Sequence, residues 1–293
     1  MTDVHPRESG FTKTTPIPLY WAVYGPPRSD RLLVLHGGPG AHLDYLLPQM
    51  LALADDRELV LYDQRGGGRS KTDDRTPITW RTQVEDLDRV VRELGLGDPT
   101  IVGYSWGGLL AMLYAIEAAA GRTQSRPSRL VLIDPAPVTR GFRQTFEAEF
   151  SRRQASAEIA HLREELASSG LREKDADTYR HRMFELSVAG YFANPRAARD
   201  LTPFRVTGRV QASIWESLGD FDLTTPGLLD SVFVPTLIVH GRQDPIPLAS
   251  SEAAAKAMGG GAQLVVLEQS GHVPYVEQPA ALFAAIRSFL ATT

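Results

Sequence analysis

A chain of 293 residues has room for one large α/β domain or for a core carrying an insertion. Its formal charge of −4 favours neither nucleic acid nor an anionic membrane as a partner, and the lack of cysteine excludes thiol nucleophiles, thiolate metal sites and disulfides. The polar start, Met1 to Gly10, has no apolar core of a secretory leader, and the longest apolar stretch, Leu109 to Ile116, is too short to cross a bilayer, so a cytoplasmic protein is expected.

In chain order, Arg31–His36 reads as the first buried strand, and His36-Gly37-Gly38-Pro39-Gly40 ends it. A glycine-rich turn there lets a backbone N–H approach a substrate without side-chain obstruction, whereas His36, which precedes the turn, is expected to be a structural hydrogen-bonding residue. Glu58–Tyr62 is the next strand, followed by Asp63-Gln64-Arg65-Gly66-Gly67-Gly68-Arg69-Ser70. No Lys-Ser/Thr pair opens a helix after these glycines, so a packed loop held by an Asp63–Arg65 pair is expected in place of a phosphate loop. Val84, Leu87, Val90, Val91 and Leu94 recur at helical spacing, and Gly95 stops that helix.

Thr100–Tyr104 is a third strand, and it runs into Gly103-Tyr104-Ser105-Trp106-Gly107 and a second apolar helix. Strand, tight turn and helix are what a nucleophile elbow requires: Gly103 and Gly107 leave room for the turn, and Ser105 is held out at the strand end. Leu130–Ile133 is a further strand, ending at Asp134. From Gly141 to about Asp222 the chain is charge-rich and helical in period, with Tyr179, Phe184, Tyr191, Phe192, Phe204 and Trp215 among its aromatics. Most of these are expected to pack against the core, and two or three to touch substrate.

Strands resume at Thr236–His240, followed by Asp244, and at Leu264–Leu267, followed by His272. Leu282, Phe283, Ile286, Phe289 and Leu290 mark a closing amphipathic helix. The expected fold is therefore a doubly wound, mostly parallel α/β sheet, with residues 1–136 and 232–293 forming the core and 137–231 an inserted helical cap.

Ligands of such a sheet bind beyond the carboxyl ends of its strands, where all these candidates fall. A serine hydroxyl needs an imidazole to take its proton, and the imidazole needs a carboxylate to fix its tautomer. Ser105, Asp244 and His272 supply the three in the chain order of one known arrangement, with Asp134 as a second choice of acid. The N–H groups of Gly38 and Trp106 are assigned to an oxyanion hole. The remaining histidines (His5, His42, His161, His181 and His240) lack metal-ligand spacing, so no metal is expected.

With HGGPG, DQRGGGRS, GYSWGG, GRQD and SGHVPY in register, the chain resembles the proline iminopeptidase branch of the α/β-hydrolases over about residues 17–136 and 232–290. The resemblance implies a serine hydrolase without a cofactor that removes an N-terminal residue, often proline, from a short peptide. Members of that branch hold the substrate ammonium with acidic residues of the cap and, in some, with the residue after the triad aspartate, which here is Pro245. Glu216, beside Trp215, is then the cap carboxylate most suited to the role, with Asp220 and Asp222 close behind; a surface charge is the other reading of Glu216.

An esterase or lactonase without amine recognition uses the same triad. A non-catalytic binding protein on this fold would be marked by a broken triad, which the sequence does not have. A small molecule or short peptide is the expected partner, and the oligomeric state stays open.

Overall fold

Runs such as ELVLY and TIVGY have no polar alternation because both faces of their strands are covered. In the computed structural model, which describes residues 5–27, 30–47, 49–73 and 75–292, both strands are buried along their whole length. Met1–Val4 of the polar start lie outside the described residues.

In chain order the elements are β1 (Glu8–Phe11), β2 (Tyr20–Tyr24), β3 (Arg31–Leu35), β4 (Glu58–Tyr62), α1 (Trp80–Glu93), β5 (Thr100–Tyr104), α2 (Trp106–Ala119) and β6 (Arg129–Ile133). Then come α3 (Arg140–Gln154), α4 (Ala157–Ser168), α5 (Leu171–Lys174), α6 (Ala176–Val188) and α7 (Gly208–Leu218). Finally β7 (Thr236–Gly241), α8 (Leu248–Ala257), β8 (Gln263–Leu267), α9 (Pro274–Glu277) and α10 (Pro279–Ala291) complete the chain.

The eight strands form one sheet in the order β1-β2-β4-β3-β5-β6-β7-β8, parallel from β4 to β8, with β1 and β2 antiparallel at one edge. Those two edge strands were not expected from the sequence. They are short and half-exposed, and joined by a Thr/Pro-rich stretch that hides their pairing. The sheet separates two apolar layers: Val84, Leu87, Val90 and Val91 of α1 pack with α2 on one face, and Leu282, Phe283, Ile286 and Leu290 of α10 on the other. The α1 helix opens on a reciprocal Thr79–Thr82 capping box, which satisfies two otherwise orphaned amides.

The helices α3 to α7 all lie between β6 and β7 in the chain. At the neck of this block the entering and leaving strands of chain pair: Arg140 N–H donates to Phe221 O and Leu223 N–H to Val138 O. The DQRGGGRS loop is packed, but not by the expected pair. Asp63 takes hydrogen bonds from the Arg69 and Leu43 amides and an ion pair from Arg69, while Arg65 makes a buried two-point contact at 2.7 Å with Asp86 of α1. Asp86 accepts two arms of the Arg65 fork, whereas the Asp63 oxygens are taken by Leu43 and Arg69.

Candidate active site

β5 delivers Ser105 in a backbone conformation that side-chain-bearing residues rarely adopt, with φ of 53° and ψ of −117°. Such strain costs about 1–3 kcal/mol and persists where the surroundings enforce it. Here the surroundings are close backbones: a Cβ on Gly103 would stand 2.4 Å from the Gly107 carbonyl oxygen, and one on Gly107 would stand 2.2 Å from that of Leu35. The flanking glycines are thus required by contact.

β7 and β8 bring the partners. His272 Nε2 lies 3.0 Å from Ser105 Oγ, and His272 Nδ1 lies 2.8 Å from Asp244 Oδ2. The other Asp244 oxygen accepts the Ile246 amide at 2.7 Å. The Asp244 contact places the proton on Nδ1 and leaves Nε2 as the acceptor facing serine. Burial pushes His272 down to about 4, so the imidazole is neutral at neutral pH, the form that can take a proton.

The imidazole ring sits between Tyr104 and Tyr191, at 5.3 and 5.1 Å between ring centres. Its main chain is tied down as well. The His272 amide donates to Tyr191 O at 2.7 Å, and Tyr104 Oη donates to His272 O at 3.0 Å. Glu277 accepts from the amides of Gly271, Ala193 and Asn194, joining the histidine loop to the turn after α6.

Gly38, with φ of +62°, and Trp106 line the same cavity as Ser105 and His272, and neither of their amides meets an acceptor among the described residues. Behind them runs a buried chain. The Gln64 side chain donates to His36 O and accepts from Trp106 Nε1, both at 2.8 Å, while the Gln64 amide donates to His36 Nε2. His36, fully buried and lowered by burial, therefore has the structural place expected of it, and the DQRGGGRS loop braces the elbow through Gln64.

The cavity measures about 470 Å³. Its far wall is built by α3 and α7: Arg143, Phe146, Glu147, Phe150, Gln211 and Trp215. Of the aromatics named from the sequence, Tyr191 and Trp215 line it, while Phe146 and Phe150 do so unforeseen. Glu216 does not line this cavity; it borders an adjoining groove with Arg140, Arg143, Glu147 and Asp220. Glu147 is the carboxylate facing the Ser105 cavity, paired with Arg143 at 2.8 Å, and the Arg143 guanidinium stacks 4.2 Å over Trp215. Arg143, Phe146, Glu147 and Phe150 fall at i, i+3, i+4 and i+7, one helical face, which was the signal available in the sequence. It was masked by the charges that make α3 read as a solvated helix.

Among the described residues, no helix is long and apolar enough to cross a membrane. The model of the alpha/beta hydrolase family matches residues 32–286. A proline iminopeptidase of Heyndrickxia coagulans is 27% identical over 281 residues, which cover 88% of this chain and 90% of that one. Among solved structures, a proline iminopeptidase of Mycobacterium smegmatis superposes with a TM-score of 0.66 at 20% identity, over 98% of this chain and 100% of that one. The enol-lactonase of Burkholderia xenovorans LB400 gives 0.67 at 19%, over 96% and 99%. At these identities the two structures speak for the fold.

Proposed function

Because the chain belongs to the alpha/beta hydrolase family, we propose that it hydrolyses a small amide or ester through an acyl-enzyme on Ser105. The observation carrying this reading is the unbroken hydrogen-bonded line from Ser105 through His272 to Asp244 at the wall of the cavity. Ser105 Oγ attacks the substrate carbonyl while His272 Nε2 takes its proton. The developing oxyanion is held by the Gly38 and Trp106 amides, free to donate there. His272 returns the proton to the leaving amine or alcohol, then takes one from water, whose oxygen attacks the acyl carbon and restores Ser105. Asp244 holds the ring and balances the imidazolium throughout.

The helices α3 to α7 form a cap that shapes the substrate. The proline iminopeptidase relative supports release of an N-terminal residue from a short peptide, and Glu147 is then the carboxylate placed to meet the α-ammonium. A second reading, an esterase without amine recognition, is favoured by the Arg143–Glu147 pair, which already neutralises that carboxylate, and by Pro245 following Asp244.

A fluorophosphonate tests the mechanism: it should add covalently to Ser105 and stop turnover, as read by peptide mass spectrometry. A label on any other residue of inactivated protein sinks the assignment. Because burial lowers His272, kcat/KM should hold as pH falls through the ordinary imidazole range and drop only further into acid, where Nε2 gains its proton. An acid limb centred above the ordinary value of about 6.5 would contradict this. Prolyl and alanyl arylamides, run beside short acyl esters, decide between the two substrate classes.

A further inference from the structure

A second aspartate lies behind the first. Asp134, at the end of β6, is completely buried, and with Ser105 it is one of two non-glycine residues with positive φ among the described residues. Its φ of 41° is a strained setting next to the site, in a position where glycine would be free of the strain. Its amide donates to Val239 O, and its Oδ1 accepts the Gly241 amide at 2.8 Å, so the side chain is locked against β7. Its Oδ2 is buried without a donor. One side-chain atom each of Asp134, His240 and Asp244 lies within 4.8 Å of the others.

Such a cluster has the residue types of a metal site, but its histidine is already committed. His240 Nε2 donates to Ile246 O at 3.1 Å, and its Nδ1 accepts from Ser251 Oγ at 2.9 Å. Burial pushes His240 down to about 4, so it brings no positive charge to the two carboxyls. Tyr104 of β5 and Tyr275 of α9 face the cluster as neutral hydroxyls, both raised by burial. Burial raises Asp244, hydrogen bonds from Asp134 and the Ile246 amide pull it back, and the weaker charges of Arg153 on α3 and Glu277 on α9 oppose each other. The described ion contacts of Asp134 and Asp244 are with histidines alone.

Two carboxylates this close, dry and without a cation, do not both ionise. We propose that Asp134 and Asp244 form a carboxylic acid–carboxylate pair that holds one proton between them, so that Asp134 positions Asp244 behind His272 and replaces it as the imidazole's acid when Asp244 loses its charge. The proton resides on Asp134 Oδ2, which turns an unpartnered acceptor into a donor toward Asp244. Burial and the Asp244 charge both push Asp134 well above the carboxylate range, in keeping with this placement. Asp244 keeps the charge because the Ile246 amide and His272 Nδ1 both donate to it, whereas Asp134 has one amide. Asp134 is a positioning residue, since it acts on the reaction through Asp244.

The inference rests on the hydrolase mechanism above, and its test separates the two. Asparagine is the discriminating substitution, because it keeps the shape and a donor but cannot carry the charge or the proton. Asp244→Asn should retain its fold and lose about 100-fold in kcat, because its amide bridges His272 to an ionised Asp134. The double variant Asp134→Asn/Asp244→Asn should fall by roughly ten-thousandfold, as expected of a relay with no acid. Asp134→Asn alone should change kcat by less than about threefold with KM unchanged, because its amide still donates to Asp244.

Infrared difference spectra at about pH 8, where a free carboxyl is ionised, supply a readout that needs no turnover. Wild type minus Asp134→Asn should show the C=O stretch of a protonated carboxyl, and the band should also vanish in Asp244→Asn as Asp134 ionises. If Asp244→Asn is as slow as the double variant, or if wild type shows no such band, the pair does not exist as proposed. If fluorophosphonate spares Ser105 and nothing is hydrolysed, the mechanism fails, while the infrared band still decides the carboxyl pair.

Discussion

The ends of the central strands and the helices that follow β6 meet around one cavity but are held in place by different physics. β4, β5 and β7 are buried along their entire length, and the Ser105 turn is fixed by backbone contacts too close to admit a methyl group. In contrast, α3 has no fully buried residue, although Phe146, Glu147 and Phe150 on it face the cavity. The proposed nucleophile and acid, Ser105 and Asp244, thus hang from strands buried along their whole length. The groups proposed to choose the substrate sit on a helix that can change residues without emptying the core. The difference explains how a single fold hosts many hydrolases: its chemistry and its selectivity are paid for in separate places.

That division can be broken by experiment. A change at the strand ends should slow every substrate equally, and a change on α3 or α7 should alter only the preference among substrates. Ser105→Ala should have the largest effect, a loss of about a millionfold in kcat with the melting temperature preserved. A residual rate of more than one per cent would move the nucleophile elsewhere. Next comes Gln64→Ala, which removes the brace between His36 O and Trp106 Nε1. With two buried hydrogen bonds gone, kcat should drop by roughly 10- to 100-fold for amide and ester alike. An effect confined to one substrate would show that the brace belongs to recognition.

Glu147→Gln should raise KM by about tenfold for substrates with a free amine and leave N-acylated ones unchanged, if the charged contact is made. Equal KM values for both kinds would favour the ester reading. Smallest is Glu216→Gln, expected to stay within about twofold because its carboxylate borders the neighbouring groove, not the cavity. A larger effect than that of Glu147→Gln would restore Glu216 as the amine ligand.

What was legible in the sequence follows the same boundary. The inner strands were readable because burial on both faces turns them into continuous apolar runs, and the ends of β5 and β7 then pointed to Ser105 and Asp244, with His272 following the partly exposed edge strand β8. β1 and β2 were not, since ESGF and YWAVY are short and partly exposed, and β2 joins the sheet only through β4, far along the chain. Arg65 was matched to Asp63 by nearness in sequence, but a guanidinium fork selects by plane and direction, and α1 offered Asp86. Glu216 and Glu147 are alike as letters. Which of them faces Ser105 depends on how α3 and α7 are rotated against the sheet, and that packing is set by residues distant in sequence.

The clasp made by Glu277 has a consequence for anyone who would exchange the helices. Because the amides of Gly271, Ala193 and Asn194 share one carboxylate, and the His272 amide rests on Tyr191 O, the histidine loop is partly a product of the block it faces. A chimera that grafts foreign helices between β6 and β7 must therefore keep residues 191–194 as native tissue at the suture. Without that margin the transplanted block would bring new selectivity to an enzyme whose proposed base no longer stands beside its serine.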